Sequence, residues 1–105
     1  MQMTHADKEK LKRELIGALA ADAIVEKIVI FGSFVHSETP HDMDVAVFCD
    51  SEDDYLTLAL SLRRKLRNLS RIIPIDLVPI TGFHDPVSVF LDEVNKGEVI
   101  YEKRH

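Results

Sequence analysis

The sequence predicts a two-layer α/β (α+β) fold, a small mixed β-sheet with helices over one face. Three observations carry this. Segments with apolar residues at helical spacing alternate with short β-branched runs; glycine, proline or acidic clusters separate them; and the third β-branched run holds two prolines that bar it from a central strand. At 105 residues and 46% apolar content the chain has material for one core and not two, so residues 1–105 read as one domain.

From Thr4 to about Asp22, Leu11, Leu15, Ala18 and Leu19 recur at helical spacing between charged positions, an amphipathic helix with Thr4 placed to cap it. Glu26 to Phe31 is apolar and β-branched and stops at Gly32, as a buried strand would. Phe34 to His41, with Pro40 and several polar residues, reads as a loop. Met43 to Cys49 is a second strand, and the acids of Asp50-Ser51-Glu52-Asp53-Asp54 suit the start of a second helix. That helix runs from Tyr55 to Leu69 on an apolar stripe of Leu58 or Ala59, Leu62, Leu66 and Leu69. Its later half holds Arg63, Arg64, Lys65 and Arg67, where cations complement the helix dipole.

Ile72 to Ile80 is a third strand, which Pro74 and Pro79 confine to an edge or a bulge by removing ladder donors. Asp85-Pro86 opens a final helix bearing Val87, Phe90, Leu91 and Val94, with Gly97 as its C-cap. Glu98 to Glu102 supplies a short last strand. With helices over one face, the other face of the sheet is left free for polar chemistry.

A net charge of -5 and a pI near 5.4 argue against bulk binding to a nucleic-acid backbone, where a basic surface supplies most of the attraction. One cysteine, Cys49, excludes an internal disulfide and reads as inert packing; no Cys/His set has zinc-site spacing. Met1 to Lys8 runs into charges and no stretch is long enough to span a bilayer, so a cytoplasmic protein with no membrane partner is expected.

The chemistry centres on Gly32-Ser33 at the end of the first strand, Asp42-Met43-Asp44 at the start of the second, and Asp76 in the third. Alternate residues of a strand share a face, so Asp42 and Asp44 point one way while Met43, Val45 and Val47 point the other. On their own, Asp42 and Asp44 equally fit a charge pair that guards a strand edge. Asp76 shifts the balance, because it interrupts the apolar run Ile72-Ile73-Pro74-Ile75 and Leu77-Val78, where burying an unpaired carboxylate is costly. If the third strand lies beside the second, Asp76 reaches the face of Asp42 and Asp44, and three carboxylates there suit a pair of hard divalent cations, magnesium or manganese rather than zinc. A glycine and a serine at a strand end most often mean a tight turn; beside these carboxylates they also suit phosphate, through close backbone approach and a hydroxyl donor.

Those residues resemble the minimal nucleotidyltransferases, the smallest members of the DNA polymerase β-like superfamily. The superfamily pattern of Gly-Ser, a loop, Asp-x-Asp and a later Asp stands here as Gly32-Ser33, Asp42-Met43-Asp44 and Asp76. Thr39-Pro40, Ile75-Asp76-Leu77-Val78 and Gly97-Glu98-Val99-Ile100-Tyr101-Glu102 fit too, so the resemblance runs from about Leu11 to Glu102. It departs in the loop: Phe34 to His41 is eight residues, shorter than is usual, with Val35, His36 and Ser37 where an Arg-Gly often stands. The resemblance implies a polymerase β palm-like fold. It implies that Asp42, Asp44 and Asp76 hold two magnesium ions, Asp76 also serving the acceptor hydroxyl as base, and that Gly32 and Ser33 hold the β- and γ-phosphates of ATP. It further implies transfer of AMP to a protein hydroxyl, a tyrosine of a cognate HEPN-domain toxin, by the antitoxin of a two-gene system.

A catalytically weak antitoxin that works by occluding its partner is the competing reading, motivated by the altered loop and the small size. His41-Asp42 with His36 or His84 superficially matches an HD-type phosphohydrolase, but that family is helical and Asp42 leads into a strand; His41 reads as a surface loop residue, and Arg104 and His105 as a frayed end. The basic face of Arg63, Arg64, Arg67 and Arg71 is either solvated or meets a partner or triphosphate, and a homo-oligomer is left open.

Overall fold

In the computed structural model, residues 3–81 and 94–103 are described. Helix α1 (His5–Leu19) starts as its sequence requires: the Thr4 hydroxyl accepts from the Asp7 amide at 3.1 Å and the Asp7 carboxylate accepts from the Thr4 amide at 3.0 Å. This reciprocal box satisfies two backbone donors that a helix start would leave open. Leu11, Leu15 and Leu19 form the buried stripe, and the helix stops at Leu19, short of Asp22. Strand β1 (Val25–Phe31) follows, then a one-turn helix α2 (Ser33–His36) inside the segment expected to be all loop. Strand β2 is Met43–Cys49, and α3 is Tyr55–Lys65, capped by the Asp54 carboxylate on the Thr57 amide at 2.8 Å.

Helix α3 ends before Leu69. Leu66 leaves helical geometry at φ -100° and ψ 10°, and Leu69–Arg71 form a separate 3₁₀ turn, so Leu66 and Leu69 both still reach the core. Strand β3 is Ile75–Thr81, starting three residues later than expected, and β4 is Glu98–Glu102. The expected helix from Asp85-Pro86 through Val87, Phe90 and Leu91 lies outside the described residues, as does His84. No helix among those described is long and apolar enough to cross a membrane.

The strands lie in the order β3-β2-β1-β4, with β1 antiparallel to β2 and β4, and β2 parallel to β3. The sheet is therefore mixed, and β3 takes the edge that its prolines allow. One face packs Ile28, Ile30, Met43, Val45, Val47 and Leu77 against the leucines of α1 and α3. The opposite face is not left free for polar groups as expected. Val29, Phe31, Ala46, Ile80 and Val94 form a second buried apolar cluster there, flanked by Phe48 and Val78. The aspartates take one end of that face, where β1 finishes and β2 and β3 begin.

Gly97 comes just after helical residues 94–95, where the C-cap was expected, and it has a second part to play. Its amide donates to the Val94 carbonyl at 3.0 Å, but among the described residues positive φ occurs only at Gly32. What excludes a side chain at Gly97 is β1: a Cβ would lie 2.5 Å from the Ile30 carbonyl oxygen and 2.8 Å from Val29 Cγ1. The glycine lets the chain graze β1 before pairing with it as β4.

Candidate active site

The strand pairing sets the site. Phe31 of β1 pairs with Asp44 of β2, and Asp44 pairs in turn with Asp76 of β3, so one row crosses three strands. The row is fixed where β2 begins by the Met43 amide, which donates to the Pro74 carbonyl at 2.9 Å. Parallel pairing in register puts both carboxylates on the same face, away from α1 and α3. Asp42 lies one residue ahead of β2, where its Oδ1 accepts from the Ser33 hydroxyl at 3.4 Å.

Gly32 bends the chain between β1 and α2 with φ 76° and ψ -151°, a combination essentially restricted to glycine. A Cβ there would stand 2.5 Å from Asp44 Oδ2. The glycine thus serves the turn and also leaves room for the central carboxylate. Its neighbours are tied down from a distance: Lys8 of α1 donates through Nζ to the Ser37 carbonyl at 2.5 Å and lies 5.4 Å from the centre of the buried Phe34 ring. The Met3 amide adds a bond to the Glu38 carbonyl at 3.0 Å. Sequence reasoning missed Lys8, and nothing near it in the chain marks the role. Phe34, a large apolar residue in an otherwise polar loop, was the available signal. His36 and His41 are exposed in this segment.

Burial, followed by the charges of Asp42 and Asp76 and a hydrogen bond with Asp76, pushes the Asp44 carboxyl above its ordinary value of 3.8. The desolvation argument made for Asp76 therefore belongs to Asp44, because Asp76 is exposed on the edge strand while Asp44 is part-buried between two neighbours. Edge position is the physical reason: among the described residues no strand covers the outer side of β3.

A divalent cation suits this donor set. Its oxygens are hard carboxylate donors, their mutual repulsion is visible in the raised Asp44 pKa, and among the described residues no lysine, arginine or histidine forms an ion pair with any of the three. No set of three acidic, histidine or cysteine side chains among the described residues has metal-ligand geometry as it stands. The Ser33 hydroxyl already donates to Asp42, and Asp44 and Asp76 are register partners on adjacent strands.

A glycine-serine turn after β1, an aspartate pair entering β2 and a third aspartate in register on β3 stand together on a mixed sheet, as candidates for a nucleotidyltransferase site. The polymerase β nucleotidyltransferase family model matches residues 13–105, and the chain belongs to that family. No curated protein sequence matches it significantly.

Solved structures with the same fold include a complex of tri-AMPylated Shewanella oneidensis HEPN toxin with MNT antitoxin, matched at TM-score 0.67 and 19% identity over 91% of this chain and 73% of that one. A toxin-antitoxin structure with AMP-PNP matches at TM-score 0.68 and 21% identity, over 89% of this chain and 74% of the other. The MntA-HepT toxin-antitoxin structure matches at TM-score 0.64 and 18% identity, over 90% and 73%.

Proposed function

We propose that this protein is a magnesium-dependent adenylyltransferase that moves AMP from ATP to a hydroxyl of a cognate HEPN-domain toxin, a tyrosine, and so acts as its antitoxin. The observation that carries the reading is the Asp44–Asp76 register pair beneath the Gly32 turn, with Ser33 on Asp42. The fold-level likeness to a MNT antitoxin complexed with an AMPylated HEPN toxin, and to a toxin-antitoxin structure with AMP-PNP, supports the choice of nucleotide and acceptor.

Asp42, Asp44 and Asp76 would hold two magnesium ions, with manganese able to substitute. Bound there, the metal supplies neutralising charge for the triphosphate and for the leaving pyrophosphate. Gly32 and Ser33 receive the β- and γ-phosphates: the turn has no side chain in the way, and the Ser33 hydroxyl, which now donates to Asp42, is exposed at its mouth. Asp76, exposed at the sheet edge, is the carboxylate an incoming macromolecule reaches first. It takes the proton as the acceptor oxygen bonds to the α-phosphorus; the bond from that phosphorus to the bridging oxygen breaks, and pyrophosphate leaves with the electron pair.

Incubation with ATP labelled at the α-phosphate, magnesium and a cognate HEPN protein should label that protein, while Asp44→Ala gives none. Absence of label with every divalent metal and nucleotide refutes the reading. The loop of eight residues without the usual Arg-Gly favours one other reading, occlusion of the toxin without chemistry. An Asp42→Asn, Asp44→Asn double variant that protects cells as well as the parent would establish it.

A further inference from the structure

Three hydrogen bonds run in series from α1 to the aspartates. Lys8 Nζ donates to the Ser37 carbonyl at 2.5 Å, the Ser37 amide donates to the Ser33 carbonyl at 2.7 Å, and the Ser33 hydroxyl donates to Asp42 Oδ1 at 3.4 Å. Inside the same turn the Val35 amide donates to the Gly32 carbonyl at 3.2 Å. Between Gly32 and Asp42 the chain has no lysine or arginine of its own, so α1 supplies the fixed cation found there.

Both contacts of Lys8 fall on α2 and its cap. Phe34 is the second residue of α2 and Ser37 its C-cap, while Ser33 is its first residue. Lys8 stands one turn ahead of Leu11, and its ammonium lies 5.4 Å from the centre of the fully buried Phe34 ring. A cation is favoured both over an aromatic face and on the last carbonyls of a helix. Phe34 anchors α2 in the core, and the Met3 amide holds the Glu38 carbonyl just beyond it at 3.0 Å. Lys8 joins these two anchors. A helix of four residues has too few internal bonds to keep its own shape, so the position of Ser33 depends on what grips the far end.

We propose that Lys8 is a positioning residue for nucleotide binding, acting through Ser37 and Phe34 to fix α2 so that Ser33 stands where the triphosphate is received. The inference rests on the adenylyltransferase reading for the identity of that ligand. The grip itself is a property of the metal-free protein and is measured apart from any activity.

Lys8→Met keeps the length and helix propensity of the side chain and removes its charge and its donor. Hydrogen exchange followed by NMR in metal-free buffer should show the Val35 and Ser37 amides exchanging about tenfold or more faster than in the parent, with the Met43 amide and those of α3 unchanged. With magnesium, labelled ATP and a cognate HEPN protein, KM for ATP should rise about tenfold while kcat stays within about threefold, since a phosphate contact made equally in ground and transition states moves KM alone. Lys8→Arg, which keeps the charge and a donor, should return exchange and KM to within about threefold of the parent. Parental exchange at Val35 and Ser37 in Lys8→Met, faster exchange that spreads to Met43 and α3, or an unchanged KM overturns the proposal and leaves AMP transfer standing. A parent that transfers no AMP overturns the adenylyltransferase reading instead. Calorimetric titration with magnesium and ATP then decides the role of Lys8: a Kd raised about tenfold in Lys8→Met upholds it, and equal Kd values, or a parent that binds no ATP, overturn it.

Discussion

Replacing Gly32 with alanine tests two roles of one residue separately. Its backbone, at φ 76° and ψ -151°, occupies a region that costs a residue with a Cβ on the order of 2 kcal/mol. The new methyl would also sit 2.5 Å from Asp44 Oδ2, while Asp44 Cγ and Cβ, at 3.5 and 3.7 Å, are in ordinary contact. A carboxylate oxygen can rotate away where a backbone cannot, so the clash should move Asp44 rather than add much to the cost of folding. In metal-free buffer, urea unfolding should place Gly32→Ala about 2 kcal/mol below the parent, with the same loss to within about 0.5 kcal/mol in an Asp44→Ala background. Magnesium at a hundredfold excess over its dissociation constant should stabilise the parent by about 2.7 kcal/mol and leave Gly32→Ala almost unmoved. A Gly32→Ala protein within about 0.5 kcal/mol of the parent, or one that keeps the parent's response to magnesium, refutes the reasoning.

Asp44→Asn should make the metal-free protein more stable at neutral pH while abolishing transfer. The folded pKa of Asp44 lies above its ordinary 3.8, so the native state holds that proton more tightly than the unfolded chain. The parent's stability contribution from this group is thus fully present below pH 3.8 and lost as pH rises through the raised value. Denaturant midpoints measured in chelator should therefore separate parent and variant above that value and converge as pH falls. Gly97→Ala forces a methyl against the Ile30 carbonyl, which cannot rotate aside, and should cost about 2 kcal/mol, or about 8 °C in Tm by differential scanning calorimetry. Thr4→Ala, which removes the acceptor for the Asp7 amide, should cost about 1 kcal/mol by urea unfolding without altering the response to magnesium.

The strands and the two packed helices were legible because each rests on a short-range period, two for strands and 3.6 for helices, whereas the shared face of Asp44 and Asp76 followed only on the condition that β3 lies beside β2. Helix α2 was hidden, since four residues are too few to display a period and the surrounding Ser, His and Thr look like loop. The exposure of Asp76 was hidden as well: an apolar sequence on either side says nothing of whether a neighbouring strand exists to bury it. Gly97 was assigned to the right place, but its need for a missing side chain comes from β1, more than sixty residues earlier, and was hidden. The tether from Lys8 to Ser37 escaped for the same reason, as an agreement between distant segments that only folding displays.

The pairing of Asp44 with Asp76 joins residues 32 apart across α3, since parallel strands cannot be linked by a tight turn. During synthesis the Gly32-Ser33 turn and Asp42 leave the ribosome early and can close as a local antiparallel pair. The third carboxylate arrives only with β3, after the whole crossover has been synthesised. A truncated or stalled chain ending within α3 therefore carries the glycine-serine turn and two of the aspartates without the register that joins Asp44 to Asp76, so the set of three aspartates is completed late in translation.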